Sequence, residues 1–270
     1  MRRTVICLSL LPFLAALILV STAYAFSPEN TKFKGDLRLR YQYEHTEKTE
    51  GLLQRHRGRF RFRFGFATMM QENIEIGARL ATGDTDPRST NQTATSFFST
   101  KEIRLDKAYV FWSATEHLTL RFGKYTKTFF VADDMLWDSD ITFEGGTLDL
   151  RTEMQGGITP FVYGTASVLQ EDKATSNDIQ MYVVQPGLEY DSEAFSLEAG
   201  LTLYVFEHLK GSVPDEDLSS GTNTLVEGKL KYDFDSVNPL VAMVFRPGVS
   251  GSKLPAVKVI GNYIYNFDSK

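Results

Sequence analysis

The chain has 270 residues, 23% of them charged, a formal net charge of −5 and one cysteine. Its length suits one large domain, and its mild acidity gives no reason to expect a nucleic-acid partner. Cys7 stands near the N-terminus, so the rest of the chain can form no disulfide and no cysteine-held metal site.

The first segment reads as an export signal. Arg2 and Arg3 precede an apolar run from Val5 to Val20, and Ala23-Tyr24-Ala25 offers small residues at a cleavage spacing. Residues 1–25 are therefore expected to be a signal peptide, with 26–270 the mature domain, beginning at Phe26. Cleavage removes Arg2 and Arg3 and takes the formal charge from −5 to −7. No later apolar stretch is long enough to cross a bilayer as a helix.

Beyond the signal, apolar and polar residues alternate. Phe33, Leu37, Leu39, Tyr41 and Tyr43 oppose Lys34, Asp36, Arg38, Arg40, Gln42 and Glu44. Phe60, Phe62, Phe64 and Phe66 interleave with Arg57, Arg59, Arg61 and Arg63. Successive strand side chains point to opposite faces, so each segment has one apolar and one charged wall; on a helix the apolar set would run all round. The same period recurs at Ile74–Leu80, Leu118–Phe122, Phe195–Val205, Glu227–Phe234 and Val257–Phe267. Segments 103–112, 157–167, 179–190 and 239–246 are less regular. Lys107 interrupts one apolar face, and Pro186 suggests a bulge.

The links alternate in length. Short ones are expected at Gln71–Asn73, Ser113–His117, Glu153–Gln155, Asp191–Ala194 and Asp235–Asn238. Long ones are expected at His45–Gln54, Gly83–Lys101, Thr126–Gly146, Val168–Asp178, Glu207–Thr222 and Pro247–Pro255. Tight periplasmic turns and long outer loops have this order. The chain is thus expected to be all-β: a transmembrane antiparallel β-barrel of the bacterial outer membrane, with about twelve strands readable. Aromatic residues beside the short links, such as Trp112, Tyr190 and Phe195, suit the membrane–water boundary.

The strand phases turn Arg38, Arg40, Arg57, Arg59, Arg61, Arg63, Arg79, Arg104 and Arg121 toward the lumen. Arginines two apart on a strand are about 6.6–6.8 Å apart and bind carboxylate or phosphate in a fork. The longest link, Thr126–Gly146, carries Asp133, Asp134, Asp138, Asp140 and Glu144 among Phe129, Phe130, Met135, Leu136 and Trp137. Folded inward, its apolar groups could pack on the wall while its carboxylates face the arginines and narrow the pore. An outer loop packed on itself, or a calcium site, is the competing reading. His45, His56, His117 and His208 fall in links or at strand ends. No hydrolase or metalloprotease motif is present, and nothing pairs His56 with Ser96 or Ser99. The chain is therefore read as no enzyme, with no cofactor and no metal ligands.

Several motifs together carry a resemblance. They are Gly35-Asp-Leu-Arg-Leu-Arg-Tyr41, Arg57-Gly-Arg-Phe-Arg-Phe-Arg-Phe-Gly65, Ala108-Tyr-Val110, Leu120-Arg-Phe-Gly-Lys124, Leu136-Trp-Asp-Ser-Asp140 with Glu144-Gly145, and Gly261-Asn-Tyr-Ile-Tyr-Asn266. In this order they resemble the putative porin family of Gram-negative outer membranes, over nearly all of residues 26–270. The resemblance implies a water-filled channel for passive diffusion of small hydrophilic solutes or ions, anions among them. It implies surroundings of outer-membrane lipid and lipopolysaccharide, and a homo-trimer. It also implies roughly sixteen or more strands, so the chain reads as a C-terminally truncated member in preference to a complete twelve-stranded barrel. A structural or adhesive barrel that binds a partner through its outer loops is the alternative function.

Overall fold

The computed structural model describes residues 27–48, 51–95, 99–172, 177–214, 223–247 and 256–268. The expected signal peptide and Ser96 lie outside them. The first five strands are β1 (Thr31–Lys48), β2 (Gly51–Gln71), β3 (Ile74–Thr82), β4 (Gln92–Thr93) and β5 (Ile103–Ser113). Next come β6 (Leu118–Thr126), β7 (Thr142–Arg151), β8 (Ile158–Gln170), β9 (Ile179–Asp191) and β10 (Phe195–Glu207). The last are β11 (Leu225–Val226), β12 (Lys229–Leu230), β13 (Ser236–Phe245), β14 (Val257–Asn262) and β15 (Tyr265–Asn266).

Thirteen of these form one antiparallel sheet, in the order β1-β2-β3-β5-β6-β7-β8-β9-β10-β13-β14. The two-residue strands β4 and β15 attach to β2 and β13, and β11 pairs with β12 alone. Each long strand lies beside its sequence neighbour, the meander that short links favour. Among the described residues no pairing joins β1 to β14, so the sheet has two free ends.

Cross-strand partners share a face, and the register sorts the two faces. Leu37 lies opposite Phe62, and Gly35 opposite Phe64, on one side; Asp36 lies opposite Arg63, and Arg38 opposite Arg61, on the other. The apolar face is open: Phe33 is 64% exposed, Leu39 77% and Leu105 56%. So large an apolar surface belongs in lipid. Strands of 9–10 residues, such as β3, β6 and β7, match the roughly 9–11 residues that cross a bilayer as tilted strands. Phe64→Arg, near the middle of the span, should therefore cost about 2–4 kcal/mol. Urea unfolding in lipid vesicles reads this, and unchanged stability would take that face out of the membrane.

Several expectations are corrected. His45–Gln54 is no long loop: β1 and β2 pair from His45↔Gln54 to Lys48↔Gly51. With 18 and 21 residues, these strands run beyond the bilayer, where no apolar face is needed and the alternation fades. The expected strand Glu227–Phe234 is no wall strand. Leu230 instead packs with Ile179 and Leu209, and Phe234 lies nearby, so its apolar residues cover one end of the sheet. Hence β10 pairs directly with β13, Asp235–Asn238 is no turn, and β13 ends beside the turn 192–194, where Arg246 N–H donates to Ala194 O. Pro186 makes no bulge, since the register with β8 runs unbroken through Val162↔Pro186. The bulge lies at Asp106, between Arg79↔Lys107 and Leu80↔Leu105, and explains why Lys107 seemed out of phase.

The apolar core sits on the polar side of the sheet. Phe129, Phe130 and Ala132, from the link 127–141, bury against Phe143, Phe161, Tyr163, Met181, Val183, Tyr204, Leu240 and Ala242. That link is therefore folded onto the inner face of β7–β10 and β13.

Candidate functional site: an arginine wall and two inward loops

Strands β1 and β2 bring six of the nine expected arginines together. Arg38 stands directly opposite Arg61, and Arg40 opposite Arg59. Like charges so placed repel, and carboxylates relieve part of the strain. Asp36 Oδ1 accepts from Arg61 Nη2 at 2.7 Å, and its Oδ2 from Arg63 Nε at 2.7 Å. Glu44 pairs with Arg57. Arg79 pairs with Asp106 on the next strands, beside Lys107. Arg104 binds Glu102. Arg121, near the short-turn end of β6, donates to Asp149 at 3.1 Å and lies 5.4 Å over the Phe111 ring. Arg104 and Arg121 thus stand apart from the six.

The link 127–141 is latched at several points. Phe130 N–H donates to Gln185 Oε1 at 2.7 Å, and Gln185 Nε2 donates back to Phe130 O at 2.9 Å. Gln185 is fully buried, and its Nε2 also reaches Thr202 Oγ1 at 2.6 Å. Trp137 Nε1 donates to the Tyr204 hydroxyl at 3.1 Å. Lys127 Nζ binds the carbonyls of Trp137 and Asp138, drawing the ends of the loop together. On β14, Asn262 Nδ2 donates to Asp133 at 3.2 Å. At the far end, Asp140 Oδ1 lies 3.5 Å from Arg63 Nη1 on β2. The loop therefore reaches from the last long strand to the arginine wall.

Only Asp140 of the five acidic candidates touches a wall arginine. Asp134 is exposed, and Asp138 accepts the Asp140 N–H at 2.8 Å within its own loop. Glu144 is corrected: it lies in β7, not in the loop. There it shares a face with Leu148 and Leu150, opposite Phe143, Thr147 and Asp149, and pairs with Lys124 at 2.5 Å. Strand pairing with β6 reaches Thr126↔Thr142, which shortens the loop and sets this phase.

A second inward segment, residues 83–91, was not foreseen. Gly83 has φ +151°, and its chain doubles back so that an added Cβ would stand 3.2 Å from Ser89 O. Thr82 Oγ1 donates to Thr90 O at 3.0 Å. Thr90 N–H and Oγ1 donate to Asp140 Oδ2 at 3.4 and 3.3 Å, and Arg38 donates to Asn91 Oδ1. The one available signal was Gly83-Asp84-Thr85-Asp86-Pro87, a turn-rich run. Arg151 was missed too; it reaches Asp149 at 3.3 Å and Glu189 at 3.4 Å. Among the described residues, no three acidic, histidine or cysteine side chains group to hold a metal.

An antiparallel sheet with one apolar and one charged face fits a β-barrel protein of the bacterial outer membrane. The chain belongs to the family described as "Putative porin", whose sequence pattern matches residues 46–240. Porins in general are channels and not enzymes. A solved structure of Salmonella typhi OmpF, in complex with daunomycin, is similar with a TM-score of 0.41 and 10% identity. The match covers 86% of this chain and 79% of that one, a likeness too loose to transfer residue roles. No curated protein matches the sequence.

Proposed function

We propose that this porin passes small hydrophilic solutes and ions along its arginine wall, with the loop 127–141 setting the narrowest point. The observation that carries the reading is Asp140, 3.5 Å from Arg63, at the β7 end of a loop anchored on β9, β10 and β14. Apolar side chains fill the interior beside β7–β10 and β13. The remaining water path then follows β1–β3, between fixed positive charge and one carboxylate. Rings or walls of arginine favour anions in such a path.

Planar-bilayer recording of the refolded chain tests this. Replacing Arg59, Arg61 and Arg79 together with glutamine should shift ion selectivity toward cations. Unshifted selectivity would remove the arginine wall from the path. A protein that inserts but makes no channel would favour the adhesive reading.

A further inference from the structure

Three arginines of the wall have no carboxylate in ion-pair range among the described residues. Arg38 is met by Asn91 Oδ1, Arg40 by Gln42 Oε1 at 3.1 Å, and Arg59 by Gln42 Oε1 and Ser89 Oγ, each at 3.4 Å. All these partners are neutral. Carboxylates act on them at longer range, Asp140 on Arg38 and Glu44 and Asp84 on Arg59. The three are neighbours: Arg40 stands opposite Arg59, and Arg38 two residues along β1. Their Cβ atoms therefore lie within about 7–8 Å of one another. The Nε atoms of Arg38 and Arg59, and of Arg57 beside them, are buried and have no acceptor among the described residues.

Buried donors without acceptors are uncommon in folded proteins, and uncompensated like charges destabilise a strand pair. A small oxyanion answers both. Its oxygens accept two parallel bonds from each guanidinium, and its charge offsets theirs. Ser89 and Asn91 complete the cradle. Asn91 Nδ2 donates to Ser89 Oγ at 3.0 Å, which leaves the Ser89 hydroxyl proton free to donate.

We propose that Arg38, Arg40 and Arg59, with Ser89 and Asn91, form a saturable site for a soluble oxyanion of phosphate or dicarboxylate type. The site deepens the channel reading, since it rests on water reaching the inner face. The turn of residues 83–91 gives it selectivity, because an oxyanion offers separate oxygens to the guanidinium forks and to the Ser89 hydroxyl, whereas a halide offers one atom to all of them.

Calorimetric titration of the refolded full chain in micelles, with inorganic phosphate, succinate and chloride at matched ionic strength, tests the proposal. One phosphate or one succinate per chain should bind saturably, and chloride far more weakly. Preference for phosphate or for succinate names the source. Arg40→Gln and Arg59→Gln should each weaken binding about tenfold. Arg59→Lys keeps the charge but loses the fork, so it guards against misfolding and should bind with intermediate strength. Arg246→Gln, at the other end of the barrel, should bind as the parent does. Non-saturable binding, or equal binding by all variants, overturns the proposal. Conductance without saturable binding sinks this site and leaves the channel standing; saturable binding without conductance does the reverse.

Discussion

Removing residues 133–140 should enlarge single-channel conductance and weaken ion selectivity. The segment carries the bond from Asn262 to Asp133 and the approach of Asp140 to Arg63, so its loss frees the space between β14 and β2. It leaves Phe129 and Phe130 seated on β9, so the wall itself should survive. Recordings in planar bilayers read both quantities. Unchanged conductance would mean that the loop does not narrow the path.

Gln185→Leu should be the most damaging single change. It keeps the side chain's bulk but strips the Phe130 N–H and C=O of their buried partner, and takes one of two partners from the Thr202 hydroxyl. Each orphaned group costs about 1–3 kcal/mol. A lower melting temperature in micelles, together with larger and noisier currents from an unlatched loop, is the expected result. Stability and current like those of the parent would show that Gln185 does not hold the loop.

The legible parts of this molecule are those where the membrane imposes a period. Phe60–Phe66 against Arg57–Arg63 could be read because lipid forces every second residue to be apolar. The same rule fails where lipid ends. At His45–Gln54 the strands continue into water and lose their pattern, while Leu230, Tyr232 and Phe234 mimic it in a packed link. A single inserted residue, Asp106, reverses the phase of β5, and composition gives no warning of it. The inward fold of 127–141 was suggested by Phe129, Phe130 and Trp137, which need burial. Where each carboxylate ends was not readable, because Asp140 is positioned by Thr90, about fifty residues earlier in sequence. Glu144 failed because β7 takes in the last five residues of the expected loop, from Thr142 to Gly146.

The central claim is that Asp140, at the β7 end of its loop, and the arginine wall bound the solute path. Cys7 is the only native thiol and lies outside residues 26–270, so an Asp140→Cys chain carries one thiol in that domain. Adding a bulky, membrane-impermeant thiol reagent to one open Asp140→Cys channel tests the claim most directly. A stepwise fall in current as the reagent attaches is the predicted result. A current that stays constant, with mass spectrometry showing the thiol fully modified, would contradict it.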